Sequence, residues 1–302
     1  MTTAPATELL GLQRPGVTVT GLLPDPSWAT RWDDIVVADE MKRRLLGFGL
    51  FCLTQRGAHS TVGLPVHGLA LLSGPPGTGK TTLAHGLANE IARTMSERGF
   101  AQHTLFAVVD PHSFPSEFLG ESQRAVSRLF NDTLPELAQH GHPLIVLIDE
   151  AETLAVTRSR ASFDTNPVDV HRATDAVLTG VDRLAEEHRN VLLVATTNDE
   201  RAIDRAFLSR VDVHETFELP PTNVVARILV DTLSRLGVRL SAGDPQITAL
   251  AAVCVANGAD ARQVRKMVLQ AVVSNGVDLA LAPEQLRVDH LSAIVDSLEQ
   301  TR

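Results

Sequence analysis

Gly74-Pro75-Pro76-Gly77-Thr78-Gly79-Lys80-Thr81 follows directly on the apolar run Leu69-Ala70-Leu71-Leu72, and this order of strand, glycine-rich turn and helix decides how the rest of the chain is read. The spacing is that of a P-loop. Glycines let successive backbone N–H groups converge on an anion, Lys80 reaches the β- and γ-phosphates, and the Thr81 hydroxyl can ligate Mg²⁺. With Thr82 closing the run, residues 74–82 are the expected nucleotide-binding set, for ATP with Mg²⁺.

Outward from this loop, apolar strands alternate with helical periodicity. Strands are expected at 69–72, 104–109, 144–148 and 191–195, with a short last one at 213–217, and helices run from Thr81 and over 122–138 and 168–184. Such alternation predicts an α/β fold, a parallel sheet with helices on both faces. Leu144-Ile145-Val146-Leu147-Ile148 and Val191-Leu192-Leu193-Val194-Ala195 are apolar throughout, as strands buried on both faces are. After Pro220-Pro221 only helical patterns remain, over 224–236, 244–255, 261–273 and 283–298. The Thr-, Pro- and Gly-rich start, with its Pro24-Asp25-Pro26 breaker, reads as a flexible tail. The expected organisation is thus a tail at 1–26, a large ATPase subdomain at 27–221 and a small helical lid at 222–302.

The buried strand at 144–148 ends in Asp149-Glu150, and carboxylates at the C-terminal edge of a parallel sheet lie where such folds bind ligands. Asp149 is expected to hold Mg²⁺ and Glu150 to orient and polarise the attacking water. The next strand ends Ala195-Thr196-Thr197-Asn198, which makes Asn198 the candidate polar sensor of the γ-phosphate. Charge on a phosphoryl group in transfer calls for a cation, and an arginine finger can contribute about 10³ to 10⁵ in rate. Arg210, on the short segment 203–212, is the candidate, directed at a neighbouring subunit's loop rather than its own.

The chain has 302 residues, is 44% hydrophobic and carries a formal net charge of −9. That length and apolar content supply a full core, and the negative balance argues against DNA, RNA or anionic lipid as partner. Cys52 and Cys254 stand far apart in apolar segments without metal-ligand spacing, so buried thiols in a reducing compartment are expected. The N-terminus has neither a basic nor an apolar leader region, and the stretch Leu45 to Leu53 is too short to span a bilayer, which points to the cytoplasm.

Taken together, the loop, Leu147-Ile148-Asp149-Glu150, Ala195-Thr196-Thr197-Asn198, the arginine-bearing segment and the helical end resemble the AAA+ ATPases from Trp32 to the C-terminus. The finger segment is two residues shorter than in most members, lacks their Pro-Gly pair and keeps only Arg210. In this it resembles the pachytene-checkpoint-type remodellers of HORMA-domain proteins, as do Ala151-Glu152-Thr153-Leu154 and Ile203-Asp204-Arg205-Ala206-Phe207. By this resemblance, Ile35 and Val36 in Trp32-Asp33-Asp34-Ile35-Val36 lie over the adenine ring. Arg262 in Gly258-Ala259-Asp260-Ala261-Arg262 touches the γ-phosphate from the lid. Phe118 and Leu119 enter a central pore and grip an extended polypeptide.

The resemblance further implies a homohexameric ring. The chain resembles the compact bacterial members associated with HORMA proteins and nucleotidyltransferases in antiphage signalling, where opening the HORMA protein switches the signal off. Two other readings share the nucleotide-site residues, a general unfoldase that serves a protease and a nucleotide-gated binding module.

Overall fold

A computed structural model describes residues 16–56, 66–109, 121–139, 141–155 and 167–299. The strands are β1 Val17–Leu23, β2 Leu69–Ser73, β3 Thr104–Val109, β4 Leu144–Ile148, β5 Val191–Thr197 and β6 Val213–Thr216. Among the described residues they form one six-stranded sheet in the order β1-β3-β4-β5-β2-β6. Every neighbouring pair is parallel except β1 with β3. The parallel part follows the α/β expectation.

The antiparallel edge strand corrects the expectation of a flexible tail at 1–26, because Val17–Leu23 pairs with β3 from Leu23↔Thr104 to Val17↔Val109. The physical reason lies in Val17-Thr18-Val19-Thr20, a β-branched run whose strand preference outweighs the surrounding Gly and Pro.

The first helices are α1 Asp39–Thr54, α2 Lys80–Glu97, α3 Glu121–Arg128, α4 Leu134–Ala138, α5 Pro167–Glu187 and α6 Arg205–Leu208. Strand parity sorts them between two layers. Leu69, Leu71, Val146 and Leu193 share one core with Val126, Phe130, Val177 and Val181 of the α3-to-α5 side. The opposite parity faces α1 and α2: Phe106 packs its ring against His85 and Trp28, with centroids 5.4 and 5.1 Å away. Each Leu, Ile or Phe so buried contributes about 1.5–3 kcal/mol, so this two-sided burial fixes the register of strands that bear no polar pattern.

The helix expected over 122–138 is interrupted. Leu129–Thr133 forms a π-turn in which the Leu134 N–H bonds the Leu129 carbonyl, and α4 resumes after it. Pro135 supplies the cause, since it has no N–H to donate and its ring crowds the preceding turn.

Contacts divide the chain into two compact units, one of residues up to Gly74 with Lys80–Thr216, the other of Pro75–Gly79 with the chain from Phe217 onward. The second unit holds α7 Thr222–Arg235, α8 Pro245–Ala256, α9 Ala261–Ser274, α10 Val277–Leu281 and α11 Val288–Glu299. It has its own core around Val225, Leu229, Ile247, Leu250, Val268 and Leu291. Asp244 caps α8 ahead of Pro245, and Asp260 with Gln263 forms a reciprocal capping box on α9. The helix expected over 283–298 begins only at Val288, after a single 3₁₀ turn at Pro283–Gln285.

Cys52 and Cys254 are buried free thiols, and burial pushes Cys52 up to about 12. Among the described residues no helix is long and apolar enough to cross a membrane.

Candidate functional site

The site forms where β2, β4 and β5 end, and its geometry follows from the strand order. β5 stands between the P-loop strand and the strand that carries Asp149, in register Ser73↔Thr197 on one side and Ile148↔Ala195 on the other. One step past these pairs lie Gly74 beside Asn198 and Asp149 beside Thr196. The residues expected to act together are brought together by that register.

The loop itself has the backbone a phosphate cradle needs. Gly74, Gly77 and Gly79 have φ of 137°, 76° and 98°, values that side chains rarely allow. Thr78 Oγ1 donates to the Pro75 carbonyl at 2.9 Å and closes the turn. Lys80, only 5% exposed, donates from Nζ to the Gly74 carbonyl at 2.7 Å and to Asn198 Oδ1 at 3.0 Å. An ammonium so buried and held by oxygens is a point charge aimed into the loop. Thr82, on the first turn of α2, is exposed.

Across the sheet edge, Thr81 Oγ1 donates to Asp149 Oδ1 at 2.9 Å. Thr196 Oγ1 donates to the same oxygen and accepts the Glu150 N–H at 3.2 Å. Glu150 has φ 54° and ψ 52°, the one non-glycine residue with positive φ among those described. A left-handed glutamate costs on the order of 1–3 kcal/mol, and such strain persists where the surroundings fix it, here through the Thr196 clasp. Glu152 adds a second rung by accepting the Asn198 N–H at 3.1 Å.

Oxygen donors of a hydroxyl and a carboxylate, next to a phosphate cradle, suit a hard divalent cation that keeps most of its own water. Thr81 and Asp149 therefore fit Mg²⁺. Among the described residues no group of three His, Cys, Asp or Glu converges as a protein-only metal cage.

Ile35 is buried and Val36 half-buried in the segment before α1, while Arg262 is exposed on the first turn of α9 in the other unit. Phe118 and Leu119 lie outside the described residues.

Arg210 has a partner that sequence reasoning missed. Its Nε and Nη2 donate to the two carboxylate oxygens of Asp182 at 2.7 and 2.6 Å, and Nη1 donates to the Ala206 carbonyl at 2.7 Å. The hydrogen bonds to Asp182 hold the guanidinium above its ordinary pKa. Two residues on, the Asp212 carboxylate accepts the N–H groups of His67, Gly68 and Leu69, so this segment is tied to the beginning of β2. The P-loop follows the other end of that strand, five residues or about 16 Å away. Arg210 is thus remote from the loop of its own subunit.

Thr196, Glu152 and Asp182 are site residues the motifs did not disclose. Thr196 stands inside the quoted Ala195-Thr196-Thr197-Asn198, and its only signal was a hydroxyl at the end of a strand adjacent to the one bearing Asp149.

A parallel sheet, a glycine cradle and an acidic strand end clasped to it define a P-loop nucleotide-binding protein. The family model described as ATPase family associated with various cellular activities (AAA) matches residues 70–219. CD-NTase-associated protein 6 of Pseudomonas aeruginosa is 42% identical over 285 residues, covering 93% of this chain and 91% of the relative. A pachytene checkpoint protein 2 homolog of Danio rerio is 32% identical over 71% of this chain, which spans only 50% of that longer relative. In fold, a chain of the E. coli MS115-1 HORMA:CdnC:Trip13 complex superposes with a TM-score of 0.77 at 20% identity, over 93% of this chain and 95% of that one. The chain therefore belongs to the AAA ATPase family, in the group that includes CD-NTase-associated protein 6.

Proposed function

We propose that this protein hydrolyses ATP to open or partly unfold a HORMA-domain protein, and so disassembles a signalling complex of bacterial antiphage defence. The observation that carries the reading is the clasp at the strand ends. Lys80 donates to Asn198, and in a second set at the same sheet edge Asp149 accepts from Thr81 and from Thr196, which in turn accepts the Glu150 N–H; phosphoryl transfer requires such fixed positions of residues that must act on one phosphate. Membership alongside CD-NTase-associated protein 6 supports a nucleotidyltransferase-linked setting. The E. coli complex that shares the fold has HORMA and CdnC as its other members.

In this reading the P-loop backbone and Lys80 bind the phosphate chain, Thr81 and Asp149 hold Mg²⁺, and Ile35 and Val36 cover the adenine. When bound, Mg²⁺ neutralises charge on the phosphate oxygens. Glu150 orients the attacking water and accepts its proton, Asn198 hydrogen-bonds the γ-phosphate oxygen or the water, and Arg262 contacts that phosphate from the lid. Arg210 of the adjacent subunit offsets the charge that develops in transfer, so identical subunits assemble, as a hexameric ring, to be active. Phe118 and Leu119 grip the substrate chain in the pore.

The test is ATP turnover measured alone, with a folded bacterial HORMA-domain protein, and with an unrelated unfolded polypeptide. A rise of several-fold with the HORMA protein only is expected. Equal stimulation by any unfolded chain would favour the general unfoldase, and negligible turnover throughout would favour a nucleotide-gated module.

A further inference from the structure

Glu152 sits on the 3₁₀ turn Ala151–Thr153 that follows Asp149 and Glu150, and its two carboxylate oxygens have different fates. Oε1 accepts the backbone N–H of Asn198 at 3.1 Å, whereas Oε2 is buried without a hydrogen-bond partner among the described residues. A carboxylate that cannot satisfy one oxygen is unfavourable where it stands, and a neutral or apolar residue would fill the position at lower cost. Among the described residues its side chain's one hydrogen bond is with Asn198, whose own side chain accepts from Lys80.

The neighbourhood shows what that contact does. Asn198 is exposed at the end of β5, beyond the last ladder pair Ser73↔Thr197, so no strand partner fixes its backbone. Thr196 ties β5 to Asp149 and Glu150, but two residues upstream. Only the Glu152 carboxylate, among the bonds described for Asn198, sets the peptide from which the amide side chain projects.

We infer that Glu152 is a positioning residue for hydrolysis: by accepting the Asn198 N–H it aims the Asn198 amide at Lys80 and the γ-phosphate position. The inference rests on the hydrolysis reading above. In this role Glu152 acts through Asn198.

The experiment compares Glu152→Ala, Glu152→Gln, Asn198→Ala and the Glu152→Ala/Asn198→Ala double variant. Glu152→Ala should lower kcat about 10- to 100-fold, the range typical of residues that orient a reacting group, with the Kd for a non-hydrolysable ATP analogue changed less than about two-fold. Glu152→Gln should keep most activity, because its amide oxygen accepts the same N–H. The double variant should be no slower than Asn198→Ala, since nothing is left for Glu152 to aim.

Wild-type kcat in Glu152→Ala, or losses that multiply in the double variant, would overturn the inference. Should Glu152→Ala not fold, Glu152→Asp replaces it: one methylene too short, it should show the same loss, and full activity there would be equally fatal. Hydrogen exchange of the Asn198 amide reads the contact without turnover. It should be slow in wild type and Glu152→Gln and faster in Glu152→Ala, and unchanged exchange would refute the contact. A wild type that binds ATP but does not hydrolyse it would sink the hydrolysis reading alone, leaving that exchange result to decide the contact.

Discussion

His85 lies one helical turn beyond Thr81 and donates from Nδ1 to the Thr81 carbonyl at 2.7 Å, a bond that fixes its tautomer because a carbonyl only accepts. Its ring packs edge-on against Trp28 at 5.0 Å, and burial, with a smaller contribution from the nearby Arg31 charge, lowers its pKa. The folded value is below the unfolded value of about 6.5, so between the two the unfolded chain holds more protons and stability rises with pH. His85 therefore contributes its full stability above about pH 6.5 and loses it as pH falls towards the folded value. Denaturant melts at pH 7.5 and 5.5 should show wild type losing more stability on acidification than His85→Gln. Equal losses would show that His85 does not carry the linkage.

Between elements, the closest approach of interest is that of α2 to the segment leading into α1. A Cβ at Gly86 would stand 2.7 Å from the Trp32 nitrogen and 2.8 Å from its Cα, too near for backbone to ignore. Gly86→Ala would gain about 1 kcal/mol of helix propensity, whereas overpacking of this kind costs about 1–3 kcal/mol. The clash should win, with a small loss of stability and a displaced segment bearing Ile35 and Val36. Both tryptophans of the chain, Trp28 and Trp32, lie on this segment, so intrinsic fluorescence reads it directly. The variant should shift that emission and weaken nucleotide binding several-fold; wild-type emission and affinity would show the segment indifferent to the contact.

What was legible in the sequence divides at the same level. The P-loop, the two all-apolar strands and the acidic strand end are local patterns whose meaning survives without coordinates. β1 was missed because its partner β3 lies some eighty residues on, and Gly and Pro dominate its surroundings. The π-turn depends on one proline within an otherwise helical period. Glu152 and Asp182 were missed because each acts through a partner, 46 and 28 residues away respectively, that only the sheet brings near.

For the whole molecule, the decisive fact is where Arg210 is held. Asp182 and the Ala206 carbonyl take up its guanidinium, and Asp212 anchors its segment at the opposite end of β2 from the P-loop. A cation fixed there is remote from a nucleotide bound by its own chain, and under the proposed function it would leave Asp182 to serve a second copy. Such a contact would join two different faces of identical subunits, and its repetition gives a ring where the rotation closes.

Two variants separate this arrangement from a merely structural ion pair. Arg210→Ala should bind nucleotide normally and turn over about 10³ to 10⁵ times more slowly, while Lys80→Ala should fail at binding. Mixed in equal amounts, the two should regain activity at about one interface in four, where an Arg210→Ala subunit's intact loop meets a Lys80→Ala subunit's intact arginine. Turnover measured across mixing ratios should therefore peak near equality. No recovery at any ratio would remove Arg210 from the neighbouring site, and full turnover by Arg210→Ala alone would remove it from catalysis altogether.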